Sequence, residues 1–219
     1  MAKMRTPRPA PTRSSGFAIR DEKGNLGICN PLAKTRTPRP NLFLYIMLAI
    51  LTLAVYWQVA GFNFVQFDDD SYVTSCTAVQ AGLNKGTIAW AFTTPYQANY
   101  HPLTWISLML DREASRWSSL FTDSDFGATD PRVFHLTNLL LHLANVLLLF
   151  AILHRVTGWR WRSAFVAALF AIHPQHVESV AWIAERKDVL STLFWLLTMW
   201  TYITYTQRPS PKTFRIVCI

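Results

Sequence analysis

Charge is scarce in this chain. Only 16% of its 219 residues are Asp, Glu, Lys or Arg, against 51% hydrophobic and 14% aromatic, and a water-soluble fold needs more polar surface than that to cover itself. Cysteine is scarce too. Cys29, Cys76 and Cys218 stand far apart with no CxxC partner, so neither a disulfide framework nor a structural zinc site follows. No apolar stretch opens the sequence: the first begins at Leu42, after a proline-rich polar lead, and is expected to stay in place as an anchor rather than be cleaved as a signal peptide. No 34-residue helical repeat is present. The net charge of +8 does not point to nucleic acid, because the basic residues sit in three short blocks between apolar runs, the arrangement of a bilayer protein.

Residues 1–41 are rich in Pro, Arg, Thr and Ser and lack hydrophobic periodicity. They cannot bury enough surface to offset the entropy of ordering, and are expected to form a disordered basic cytoplasmic lead. Within it, Lys3-Met4-Arg5-Thr6-Pro7-Arg8-Pro9 is nearly repeated as Lys34-Thr35-Arg36-Thr37-Pro38-Arg39-Pro40. This reads as a low-complexity duplication, with a tether to anionic head groups as the alternative.

Four apolar runs follow, at about 42–62, 134–156, 163–183 and 189–206. At ~1.5 Å per residue, about 20 helical residues cover a ~30 Å hydrocarbon core. The third run breaks at His173-Pro174, and the fourth is expected to open after Asp188 as N-cap. Threading the four alternately puts the basic lead, the Arg155/Arg160/Arg162 turn and the 209–219 tail with Lys212 and Arg215 on one side, which the positive-inside rule makes cytoplasmic. The other side receives 63–133 and 174–188. The expected fold is therefore all-α: a polytopic transmembrane bundle with about four spans and a long external first loop containing short amphipathic helices. One of these, beginning after Tyr100-His101-Pro102, is expected to lie on the membrane surface. The predicted location is the cell (inner) membrane, multi-pass, with a cytoplasmic N-terminus.

Candidate chemistry gathers on the external side. Asp68, Asp69 and Asp70 lie just beyond the first span; a carboxylate there can be a general base, bind a divalent cation, or simply form a solvated turn. His101 can titrate near neutral pH or serve as a hydrogen-bond partner. His135, Asn138, His142 and Asn145 fall within an arc of about 80° at ~100° per residue, one polar stripe that cannot face lipid. His142 and Asn145 suit interhelical hydrogen bonds, and His135 suits the lining of a site. His173 and His176, at i and i+3, can place two imidazoles on a metal, but no third ligand is fixed. Glu178 follows, then Glu185-Arg186-Lys187-Asp188, whose cations suit a lipid-linked phosphate or pair with the acids beside them.

The strings FDDDSYV (67–73), NYHPLTWISLMLD (99–111), FHLTNLLLHLANVLLLF (134–150) and AFVAALFAIHPQHVESVAWIAERKDVLSTLFW (164–195) resemble the membrane half of bacterial tetratricopeptide-repeat membrane proteins. Those are related to the animal transmembrane and tetratricopeptide-repeat O-mannosyltransferases that modify cadherins. The resemblance covers roughly 62–208 and implies a C-type glycosyltransferase region over 42–208. Such a protein takes a sugar from a polyprenyl-phosphate donor and passes it, with inversion, to a protein hydroxyl on the non-cytoplasmic side. It further implies a base among Asp68, Asp69 and Asp70, of which Asp69 is the leading candidate, and that His173, His176, Glu178, Arg186 and Asp188 frame the donor phosphate or hold the loop; His101, His135 and Lys187 complete the expected substrate-binding set. The expected partners are the bilayer, the lipid-linked sugar and the acceptor protein, without nucleic acid. Because the family continues into further spans and repeats, the chain is expected to be a truncated portion; the alternative is a noncatalytic membrane anchor or assembly subunit.

Overall fold

The computed structural model describes residues 17–20, 26–29, 41–119 and 129–207. It divides into two compact units, residues 1–37 and 38–219.

In the first unit, β1 (Phe17–Arg20) pairs antiparallel with β2 (Leu26–Cys29), from Phe17 opposite Cys29 to Arg20 opposite Leu26. Within the lead expected to be disordered, these eight residues are paired strands. FAIR and LGIC are proline-free, largely apolar runs, and two of them close in sequence satisfy each other's backbone groups. Both basic repeats lie outside the described residues, as does the 209–219 tail.

Among the described residues of the second unit the regular elements are helices. It contains α1 (Leu42–Tyr56), α2 (Thr77–Gln80), α3 (Lys85–Thr93), α4 (Pro102–Ser119), α5 (Pro131–Thr157), α6 (Arg160–Ile172), α7 (His176–Ala181) and α8 (Arg186–Gln207). Tight turns at Trp57–Gly61 and Ile183–Glu185 and a wide turn at Asp70–Thr74 link them. Among the described residues two helices are long and apolar enough to cross a membrane: α1 with its extension to Gly61, and α5. They coincide with the first two expected spans. The four-span expectation is not met by length and composition in the other two. Helix α6 has 13 residues, about 20 Å at 1.5 Å each, because His173 turns extended, the conformation that a following proline imposes. Helix α8 is 22 residues long but opens on Arg186-Lys187-Asp188 and is rich in threonine and tyrosine. It starts at Arg186 rather than after Asp188, since the Ile183–Glu185 turn feeds straight into it.

Helix α5 is the central post, packing against α1, α6 and α8. Asp130 caps it by accepting the Arg132 N–H at 3.0 Å, Pro131 occupies its first turn, and Gly158 ends it with φ 73°, a left-handed conformation that glycine adopts without cost. Leu44 and Leu48 of α1 meet Val146 and Phe150 of α5 and the small Ala164, Ala167 and Ala171 of α6. The polar stripe of α5 faces inward, with His135, Asn138, His142 and Asn145 all at most 1% exposed. His142 Nε2 lies 3.2 Å from the Ala171 carbonyl, and Asn145 Nδ2 donates to the Val189 carbonyl at 2.8 Å. Replacing Asn145 by leucine should therefore lower stability by about 1 kcal/mol, read as the unfolding midpoint in detergent micelles. An unaltered midpoint would show the Val189 bond to be idle.

Tyr72, Val73, Val79, Ala91, Trp105, Leu108 and Met109 of the 63–133 segment share a core with Phe134 of α5 and with Ile183 and Ala184 of the turn before α8. Trp105, Leu108 and Met109 lie at i, i+3 and i+4, so α4 turns its apolar face into this core. The face expected to meet the membrane surface is thus packed in part against protein.

Candidate functional site

Beyond the turn that ends α1, the chain folds back on itself. The Asp69 Oδ2 accepts the Val65 N–H at 3.0 Å, while its Oδ1 accepts the N–H of Ala184 at 3.0 Å, 115 residues away. Asp69 is completely buried. One carboxylate thus pins the aspartate run to the turn before α8. Burial pushes its pKa up from the usual carboxylate range; the two backbone N–H groups oppose that, and Asp68 and Asp70 add to it. The neighbours differ. Asp70 is exposed and accepts the Thr74 hydroxyl at 2.7 Å. Asp68 is half-buried with no hydrogen bond among the described residues, and its charge is felt at Tyr72, as are those of Lys187 and Glu185.

Tyr72 and His101 build the next layer. The chain reverses at Gln97 and Ala98, both left-handed (φ 50° and 57°), between the bridged residues Tyr96 and Asn99. This brings Asn99 Nδ2 to the Tyr72 hydroxyl at 2.9 Å and stacks His101 on Tyr72, ring centroids 5.7 Å apart, and close to Trp105 at 4.8 Å. Burial, and after it the Lys187 charge, hold the His101 pKa below the usual imidazole value, so the ring is neutral at pH 7. It lines a cleft of about 620 Å³ with Lys187, Asp188 and Ser191, whose other wall is Leu103, Leu190 and Phe194. Lys187 Nζ is paired with Glu185 at 2.8 Å, and Asp188 accepts the Ser179 hydroxyl at 3.2 Å. The cleft is thus lined by polar and apolar side chains together, with Lys187 and Asp188 as its charged residues.

Arg186 is turned the other way and is fully buried. Its Nη1 donates to Asp111 and to Ser107, its Nη2 to the Phe134 carbonyl at 2.7 Å, and its Nε to Asn138 at 2.7 Å. Asp111 also accepts the Thr137 hydroxyl, and Asn138 donates to the Trp182 carbonyl. Arg186 therefore ties α4, α5 and α8 together rather than opening onto the cleft.

The remaining sequence candidates are scattered. His135 is buried, with its ring edge-on to Phe62. His176 packs on Phe170 at 4.3 Å and near His142 at 5.4 Å; His173 is exposed, its Nδ1 accepting the Gln175 N–H. Glu178 borders a separate apolar cleft with Phe62, Val65, Phe67 and Trp182. Among the described residues no group of three or more His, Cys, Asp or Glu side chains is arranged to hold a metal ion. The sequence reading did not single out Tyr72, Asn99 or Asp111. Only Asp111 carried a signal, as the one carboxylate within the otherwise uncharged TWISLMLD stretch of α4.

No family model and no solved structure matches the chain. Among curated proteins it is similar to the protein O-mannosyl-transferase Tmtc2 of Drosophila melanogaster, 26% identical over 184 residues, which is 80% of this chain and 18% of that relative. The tmtc2 protein O-mannosyl-transferase of Xenopus laevis is 39% identical over 80 residues, 36% of this chain and 10% of its own length. TMTC2 of Mus musculus is 32% identical over 117 residues, covering 52% and 13%. The chain is a distant homologue of these enzymes and spans less than a fifth of their length.

Proposed function

We propose that this chain is the membrane-embedded, acceptor-side portion of a glycosyltransferase. It moves a sugar, mannose by analogy with the relatives' names, from a polyprenyl-phosphate donor to a serine or threonine hydroxyl on the non-cytoplasmic side. In this reading α1, α5, α6 with its continuation into α7, and α8 thread the inner membrane alternately, and the N-terminus is cytoplasmic. The single observation that carries the proposal is the Asp69–Ala184 bond at 3.0 Å, because it holds the aspartate run against the segment that supplies Lys187 to the cleft.

The chemistry follows from the groups present. A base removes the proton of the acceptor hydroxyl, the oxygen attacks the anomeric carbon from the face opposite the phosphate, and the sugar–phosphate bond breaks with inversion. Asp68, half-buried and free of hydrogen bonds among the described residues, takes the base role. Asp69 positions it. The leaving phosphate gains negative charge, which Lys187 and an N–H of neutral His101 stabilise, with Lys187 exchanging Glu185 for the phosphate. Leu103, Leu190 and Phe194 receive the first isoprenyl units.

The test is transfer of radiolabelled mannose from polyprenyl-phosphate mannose to a serine/threonine peptide in membranes containing the chain. Transfer should be detectable and should fall about 100-fold in Lys187→Met, the scale of removing one charge-stabilising group. Undiminished transfer in Lys187→Met rejects the donor site. Absence of transfer by the unaltered chain favours the noncatalytic anchor or assembly subunit.

A further inference from the structure

At the end of α5 opposite the aspartates, the chain presents Trp159-Arg160-Trp161-Arg162 in the turn to α6. Trp159 and Trp161 are 60% and 59% exposed. Arg162 lies over the Trp159 ring at 4.4 Å, and Arg155 lies over Trp200 at 4.7 Å while donating to Gln207 at 2.9 Å. Neither Arg160 nor Arg162 meets a carboxylate or any hydrogen-bond acceptor among the described residues. All described carboxylates of this unit (Asp68–Asp70, Asp111 and Glu113, Asp130, Glu178, Glu185 and Asp188) belong to the other end. Along the 27 residues of α5 the ends are about 40 Å apart, beyond the ~8–10 Å over which charges act through saline.

Beside these arginines is a small cavity of about 190 Å³, lined by Leu153, Thr157, Trp159, Arg162, Ser163 and Val166. Its hydroxyls are committed: Ser163 Oγ donates to the Trp159 carbonyl, and Thr157 Oγ1 donates to the Leu153 carbonyl while accepting the Trp159 N–H. The unspent capacity is cationic. The apolar wall, Leu153 and Val166, leads from it along the outside of α5 and α6, where Val166, Leu169 and Ile172 are exposed. A ligand complementary to this surface needs an anionic head for the Arg162 guanidinium in a turn that also carries Arg160, an edge that tolerates indole rings, and a hydrocarbon tail running along the helices.

We infer that the Trp159–Arg162 turn is a binding site for one anionic phospholipid, its phosphate on Arg162 beside the cavity, with Arg160 adding positive charge in the same turn, and its acyl chain along Leu153 and Val166. Free anions lack the tail, and zwitterionic lipids offset the phosphate with their own cation. The inference rests on membrane placement and is independent of the transferase reading.

The test is native mass spectrometry of the purified chain in neutral detergent, titrated separately with dioleoylphosphatidylglycerol, dioleoylphosphatidylcholine and glycerol phosphate. The phosphatidylglycerol adduct should form at concentrations where the other two give none. It should weaken roughly 10- to 30-fold in an Arg160→Ser/Arg162→Ser variant, as expected for two basic residues near a lipid surface, and stay unaltered in Lys85→Ser at the other end. Val166→Asp, which keeps both arginines and places a carboxylate beside the cavity, should weaken it similarly. Equal retention of phosphatidylcholine, equal binding of glycerol phosphate, or unweakened binding in both altered chains would overturn the site. Because the readout is lipid retention, its failure leaves the transfer assay untouched.

Discussion

Arg186→Met should cost about 3–5 kcal/mol of stability, the scale observed when one partner of a buried ion pair is removed. The side chain is fully buried and serves Asp111, Ser107, Asn138 and the Phe134 carbonyl together. Methionine fills much of the volume but leaves the Asp111 carboxylate in the interior with only the Thr137 hydroxyl for company. An apolar side chain cannot supply the missing desolvation energy. Replacing both partners, in Arg186→Met/Asp111→Leu, should recover most of the loss, because the pair's Coulomb gain is largely spent on its own desolvation. Recovery should stop short of complete, since Asn138 Oδ1 and the Phe134 carbonyl still lose their donor. Denaturant unfolding in micelles measures both. A single-variant loss below about 1 kcal/mol would mean that α4, α5 and α8 are held together by other contacts.

The sequence made some of this visible. The helical class, the two long apolar helices and the break at Pro174 follow from run length and proline chemistry, which act locally. The stripe of His135, Asn138, His142 and Asn145 was legible as inward-facing, because four polar groups on one face of a leucine-rich helix need partners. What those partners are was not legible. Arg186 and Lys187 are adjacent and chemically alike, yet one is sealed in a hydrogen-bonded interior and the other lines a cleft. Adjacent residues on a helix point about 100° apart, and only the packing of α8 against α4 and α5 decides which of the two goes inside. The same holds for the aspartates, where pattern alone cannot tell a clamp from a base. The β1–β2 ribbon was missed because eight strand residues are diluted in a lead whose composition is otherwise that of an unfolded segment.

Asp68→Asn should lower sugar transfer by ~10²–10⁴, the usual value of a positioned general base, while the unfolding midpoint moves by no more than about 0.5 kcal/mol, as for a surface substitution outside any network. Asn at 68 is nearly isosteric and removes only the proton-accepting charge. Asp69→Asn should behave in the opposite sense. Its two oxygens accept N–H groups from Val65 and Ala184 at 3.0 Å each; an amide has one oxygen, so one buried N–H is left facing an NH₂ group, at a cost of about 1–3 kcal/mol. Transfer then falls because the aspartate run is no longer held against the α8 segment, and it should recover partly when the temperature is lowered enough to refold the clamp. Asp68→Asn has no such rescue, because a missing base is missing at every temperature. Asp70→Asn, exposed and bonded only to Thr74, should change either quantity least. The assignment inverts if Asp69→Asn abolishes transfer at full stability while Asp68→Asn remains active: the buried carboxylate, its pKa raised by burial, would then be the proton acceptor and its two N–H donors the means of keeping it ionised.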